Sequence, residues 1–187
     1  MNQMSAIAPA SAAADHRARF TTAEFLHMCD SGAFDDIKIE LIDGELERMP
    51  PPQNEHGRRQ MMVGIRLSRI IAETLLRGET GIDLGHDTVV GCDAAVLKAP
   101  VSGNRILTAD EVALAVEVAE TTLARDMGMK RIKYASAGIA HYWVIDGERS
   151  VVHVWGDPMN GDYAQIATVR FGEPLAVPGT DATIVID

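Results

Sequence analysis

Eight consecutive residues, Val112-Ala113-Leu114-Ala115-Val116-Glu117-Val118-Ala119, carry one charge between them, and that pattern constrains the fold more than any other stretch of the chain. A short apolar run rich in valine reads as a strand covered on both faces, which demands structure above and below a sheet. Glu117 must therefore be accommodated inside a domain. An ionised carboxylate withdrawn from water is strongly destabilising unless a cation, a metal or good hydrogen bonds compensate it.

The rest of the chain supplies the covering layers. Thr21 or Thr22 caps a short helix carrying Phe25, Leu26 and Met28 and ended by Gly32. Alternation through Ile37, Ile39 and Leu41 followed by Asp43-Gly44 predicts a hairpin over 37–49, because both turn positions need positive φ. Pro50-Pro51-Pro52 breaks the pattern and leads into a helix from Gly57 to Gly78, on which Met61, Ile65, Leu67, Ile70, Ile71, Leu75 and Leu76 recur near a 3.6 period. Strands are expected at 82–90, 93–98 and 112–119, then a helix capped by Thr121 or Thr122 running to Gly138. A buried strand His141–Asp146 and a hairpin pairing Val151–Trp155 with Tyr163–Val169 complete the series. This order predicts a mixed α/β (α+β) domain, a mixed sheet flanked by helices with β-hairpins added at both ends. Residues 1–19, rich in Ala and Ser, are expected to form a flexible tail, and 20–187 a single domain, within the size range of one core.

Composition narrows the classes. With 47% hydrophobic and 24% charged residues the chain is neither disordered nor fibrous, and no apolar run is long enough to span a bilayer. The N-terminus does not read as a secretory signal, and two cysteines, Cys29 and Cys92, give neither a disulfide framework nor a four-ligand zinc pattern, so a cytoplasmic location is expected. A net charge of −10 repels nucleic acid at long range, so any DNA contact needs a local basic surface or bridging metal ions.

Asp93 repeats the anomaly of Glu117 at the head of Ala94-Ala95-Val96-Leu97. If both acids face the same side of the sheet they form an oxygen-rich pocket suited to Mg²⁺ or Mn²⁺; otherwise one faces solvent or pairs with an arginine. On the following helix Leu123, Met127, Lys130 and Tyr134 fall at offsets 0, 4, 7 and 11, which puts Lys130 in the apolar stripe facing the sheet, unless it snorkels to water. Two acids and a lysine are a set suited to phosphodiester cleavage. His56 and Gly57 precede the basic helix, where His56 either contacts phosphate or simply starts the helix. His86 near Cys92 suggests a Cys–His nucleophile, but nothing supplies the third, orienting group. Tyr142 and Trp143 read as core.

The string Glu40-Leu41-Ile42-Asp43-Gly44-Glu45-Leu46, then Met49-Pro50-Pro51-Pro52 and His56-Gly57, resembles the front half of the Uma-two family of bacterial restriction endonucleases. Val116-Glu117-Val118, Arg125-Asp126-Met127-Gly128, Lys130, Tyr134-Ala135, Ala137-Gly138-Ile139 and Tyr142-Trp143-Val144-Ile145-Asp146 resemble its back half, so that the likeness covers roughly residues 20–170. The family is similar to the PD-(D/E)xK nuclease superfamily, which implies a restriction endonuclease-like core. The resemblance makes Asp93 and Glu117 the metal-binding acids and Glu40 an auxiliary ligand or base. Lys130 matches a helix lysine replacing the usual strand lysine, whose place two residues after Glu117 is taken by Ala119; Cys92 stands where the superfamily has proline.

The implied function is Mg²⁺- or Mn²⁺-dependent cleavage of DNA, with Asp93 and Glu117 on the metal, Lys130 placing the attacking water, and His56, Arg58, Arg59, Arg66 and Arg69 on the DNA. Two other readings stay open: a weakly active or inactive module of the same fold that binds nucleic acid or a protein partner, and a hydrolase of another phosphoester. Strands near the chain ends also suit a homodimer.

Overall fold

The computed structural model describes residues 17–187, so the expected tail lies outside the described residues as far as residue 16; Arg17 and Arg19 reach Glu45. The elements in order are α1 (Thr22–Asp30), β1 (Lys38–Ile42), β2 (Glu45–Met49), α2 (Asn54–Leu67), β3 (Leu76–Gly85), β4 (Thr88–Leu97), β5 (Leu107–Thr108) and β6 (Val112–Ala119). A composite helix follows, made of α3 (Leu123–Arg125), a π-helical stretch Asp126–Lys130 and α4 (Arg131–Ser136). The chain then adds β7 (His141–Asp146), β8 (Val151–Met159), β9 (Asp162–Arg170), β10 (Pro174–Ala176) and β11 (Thr183–Val185).

Nine strands form one mixed sheet in the order β2-β1-β4-β6-β7-β8-β9, with β3 pairing β4 and carrying β5. Pairing is antiparallel except between β6 and β7 and between β3 and β5. Alternation along β6 and β7 builds two cores. Ala115, Ala119, Tyr142, Val144 and Trp155 pack with Tyr134 of α4 on one face. Leu114, Val116, Val118, Trp143 and Ile145 pack with Val63 and Leu67 of α2, and with Leu175 and Ile184 of the small β10–β11 sheet, on the other. Tyr142 and Trp143 are fully buried, on opposite faces, as core residues should be.

The pairing of β4 positions the site. A strand has two edges, and β3 runs along one edge of β4 from Leu76↔Val96 to Gly85↔Thr88. The other edge is shared: β1 pairs with it at Val89, and β6 pairs with it over Ala94–Leu97. Between those points, at Gly91–Asp93, the sheet forks.

Boundaries in the middle of the chain differ from the sequence expectation. The helix expected to reach Gly78 ends at Leu67, and Leu76 already opens β3. Ile70, Ile71, Leu75 and Leu76 continue the helical period by chance, since a short apolar run packs equally well as turn and strand. The strand expected over 82–90 is instead a hairpin whose turn passes through Gly85, His86 and Asp87 at positive φ. Two non-glycine residues in that conformation give no glycine-based turn signal.

Candidate active site

Alternation puts Glu117 on the β6 face that carries Ala115 and Ala119. The β4–β6 register ends at Ala94↔Val116, one residue short of both acids, and Asp93 and Glu117 line the cavity that opens where the strands part. Glu40 of β1, His56 of α2 and Lys130 at the end of the π-helical stretch line the same cavity. The local helix geometry delivers Lys130 to it although α-helical regularity is lost, because the apolar stripe still faces the sheet; Lys130 is only 3% exposed.

Backbone groups left unpaired where the strands separate find side-chain partners instead, as buried N–H and C=O groups must. The N–H of Gly91 donates to Glu40 Oε1 at 2.8 Å, and its carbonyl accepts from Lys130 Nζ at 2.7 Å. The N–H of Val118 donates to Asp93 Oδ2 at 2.7 Å, while the Val118 carbonyl faces His56 Nδ1 at 2.9 Å. Four site residues thus complete the sheet at its fork, and the cavity they enclose is held in place by the ladder itself.

The charges interlock. Lys130 Nζ donates to Glu117 Oε1 at 2.9 Å and lies 3.2 Å from Glu40 Oε1, and Tyr134 donates its hydroxyl to Glu117 Oε1 at 2.7 Å. Both of these hydrogen bonds fall on Glu117 Oε1 and neither on Oε2. Glu40 Oε2 accepts from Arg125, which also donates to Glu47 at 3.0 Å. His56 Nε2 meets Asp93 Oδ1 at 3.2 Å, so both ring nitrogens face acceptors and the ring is best satisfied as an imidazolium.

Protonation follows from these contacts. Burial pushes the Glu117 carboxyl up to about 8, against the pull of Lys130. Burial acts on Lys130 in the opposite sense, but the carboxylates of Glu117 and Glu40 outweigh it and raise the ammonium above its ordinary value. Burial also works against the Glu40 and Asp93 anions. Lys130 and Arg125 overcome it for Glu40, and the hydrogen bonds from His56 and the Val118 N–H overcome it for Asp93, so both carboxyls titrate below their usual range. The Asp93 hydrogen bond is the leading influence that raises His56.

Two carboxylates lining one cavity are hard donors that fit Mg²⁺ or Mn²⁺. Among the described residues no group of three or more His, Cys, Asp or Glu is placed to hold a metal ion. The two acids would give a cation a half-shell, to be completed by water and substrate oxygens as is the habit of Mg²⁺.

Other sequence candidates lie elsewhere. Arg58 pairs with Glu55, Arg59 with Glu120 and Arg66 with Asp187, while Arg69 is exposed beyond the end of α2; none of the four lines the cavity. Cys92 is buried with its sulfur against the carbonyls of Ala94 and Val116, and burial pushes its thiol far up, whereas His86 sits on the exposed β3–β4 turn. No Cys–His nucleophile is built there. Sequence reasoning missed Tyr134, Arg125 and Gly91 as parts of the site. Tyr134 stands four residues after Lys130, a helical spacing that could have flagged it, whereas Arg125, five before, falls off that face.

A model of the Uma-two family, described as "putative restriction endonuclease", matches residues 22–185. The fold is similar to that of four solved chains, among them a crystal structure from Anabaena variabilis described as "a putative nuclease". That pair aligns with a TM-score of 0.64 over 85% of this chain and 89% of the other at 20% identity, a likeness of fold. No curated protein matches the sequence. No helix among the described residues is long and apolar enough to cross a membrane.

Proposed function

The chain belongs to the Uma-two family of restriction endonuclease-like proteins, and from that premise we propose that it hydrolyses DNA phosphodiester bonds with a divalent cation, Mg²⁺ or Mn²⁺, held by Asp93 and Glu117. The observation that supports this reading is that both acids line one cavity at the β4–β6 fork, with Glu117 Oε1 held by Lys130 and Tyr134. When bound, the cation polarises the phosphate and lowers the pKa of a coordinated water. The chain's own residues prepare the half-shell. His56 and the Val118 N–H fix the Asp93 carboxylate, and Lys130 and Tyr134 fix the rotamer of Glu117 so that its second oxygen points into the cavity.

Glu40 acts by positioning. Its two oxygens hold Lys130, the Gly91 N–H and Arg125, which leaves it the brace of the site instead of a free base. Lys130 has three N–H groups and three protein oxygens around them, so it balances charge and orients Glu117; it has no donor left to place water. Ala119 shares the face of Glu117 and is buried, so the absence of a strand lysine leaves no hole in the site.

Incubation with supercoiled DNA tests the reading. Nicking or linearisation is expected with Mg²⁺ or Mn²⁺ and none with EDTA, and Glu117→Gln is expected to abolish it. Cleavage that survives Glu117→Gln would come from a contaminant. DNA binding with no cleavage by the wild type would support instead a binding module that keeps the fold.

A further inference from the structure

With Lys130 saturated and none of the α2 arginines lining the cavity, the site still needs a cation that can touch a phosphate oxygen. Lys38 has the required placement. It stands two residues before Glu40 on β1, hence on the same face, and lines the cavity beside Gly91, Asp93 and His56. Its stem lies across Gly91. A Cβ added to that glycine would sit 3.3 Å from Lys38 Cε and 3.6 Å from Nζ, so a bare backbone is what lets the lysine cross the strand at the fork. Its ammonium pairs with Glu79 at 2.7 Å, and both side chains are open to water, 37% and 54% exposed. Such an exposed pair is weak and exchanges readily.

We propose that Lys38 is the lysine that binds the substrate, its ammonium passing from Glu79 to a non-bridging oxygen of the DNA backbone seated in the cavity. The inference rests on the nuclease reading and adds a substrate contact to it. Lys38 thereby supplies the positive charge on the phosphate that Lys130 cannot, and Glu79 parks it when no DNA is present.

Binding of a short DNA duplex by fluorescence anisotropy in Ca²⁺, across a salt series, tests this together with single-turnover cleavage in Mg²⁺. Lys38→Ala is expected to weaken binding roughly tenfold and to lower the slope of log affinity against log salt by about 0.9, the signature of one lost phosphate contact. Glu79→Gln, which frees the ammonium, is expected to tighten binding, and the exposed Lys98→Ala to change neither affinity nor slope. Lys38→Ala should leave Mn²⁺ affinity unchanged, which separates a substrate contact from a damaged site. Wild-type affinity, slope and cleavage rate in Lys38→Ala would overturn the inference alone. A wild type that neither binds nor cuts DNA would overturn the nuclease reading, and this inference with it.

Discussion

Burial favours the protonated form of Glu117 in the metal-free protein, raising its carboxyl to about 8 while Lys130 only partly offsets that push. A divalent cation must expel this proton. Mn²⁺ affinity is therefore expected to rise about tenfold per pH unit as pH approaches 8 and to level off above it, which titration calorimetry across pH 6–9 would measure. The metal-free fold should show the opposite trend. A carboxyl whose folded value lies above its ordinary 4.5 contributes stability below that value and loses it as pH rises towards about 8. At this scale the sequence was informative about Glu117 and Asp93, since a lone acid in an apolar run has few explanations. It was silent on Gly91, which looks like an ordinary strand residue until the fold sets its N–H against Glu40.

The fork between β1 and β6 is the element that makes the site, and it depends on Gly91. Any side chain there would press on Glu40 Oε1, 3.3 Å from the position of its Cβ, and on the stem of Lys38. Gly91→Val is expected to abolish Mn²⁺ binding while lowering stability by only about 1–3 kcal/mol, the usual range for overpacking, as thermal melts alongside metal titration would show. The composite helix was legible because the spacing of Leu123, Met127, Lys130 and Tyr134 puts them on one face, and that face survives the π-helical stretch. The segment between α2 and β4 was not, since its apolar residues satisfy a helical period and a strand alike. Only long-range pairing with β4 decides between them, and no local signal carries that pairing.

Across the whole molecule, an acidic protein holds an acidic cavity together by distributing cations around it. Lys130 and Arg125 brace Glu40, Lys130 braces Glu117 and His56 braces Asp93, from three different elements and the strands between them. Removing one buried cation leaves its carboxylates uncompensated. Lys130→Ala is expected to cost about 3–5 kcal/mol of stability, as for other broken buried pairs. Chemical denaturation in EDTA should show that loss greatest at high pH, where Glu117 and Glu40 are ionised, and smaller as pH falls and they take up protons. The fold class was legible from element order alone, and the net charge of −10 requires any phosphate-handling surface to be local. The basic helix α2 drew attention as that surface; its arginines pair with Glu55, Glu120 and Asp187 and do not line the cavity. Charge pattern along a chain cannot show which acids from distant segments will neutralise it.

Anomalous diffraction from crystals of the protein soaked in Mn²⁺ reads the position of the metal itself. One strong peak is expected between the carboxyl groups of Asp93 and Glu117, on the side of Glu117 Oε2, and it should disappear from Glu117→Gln crystals. A cavity without a peak at Mn²⁺ concentrations that saturate the protein in solution, or a peak that persists in Glu117→Gln, would contradict that placement.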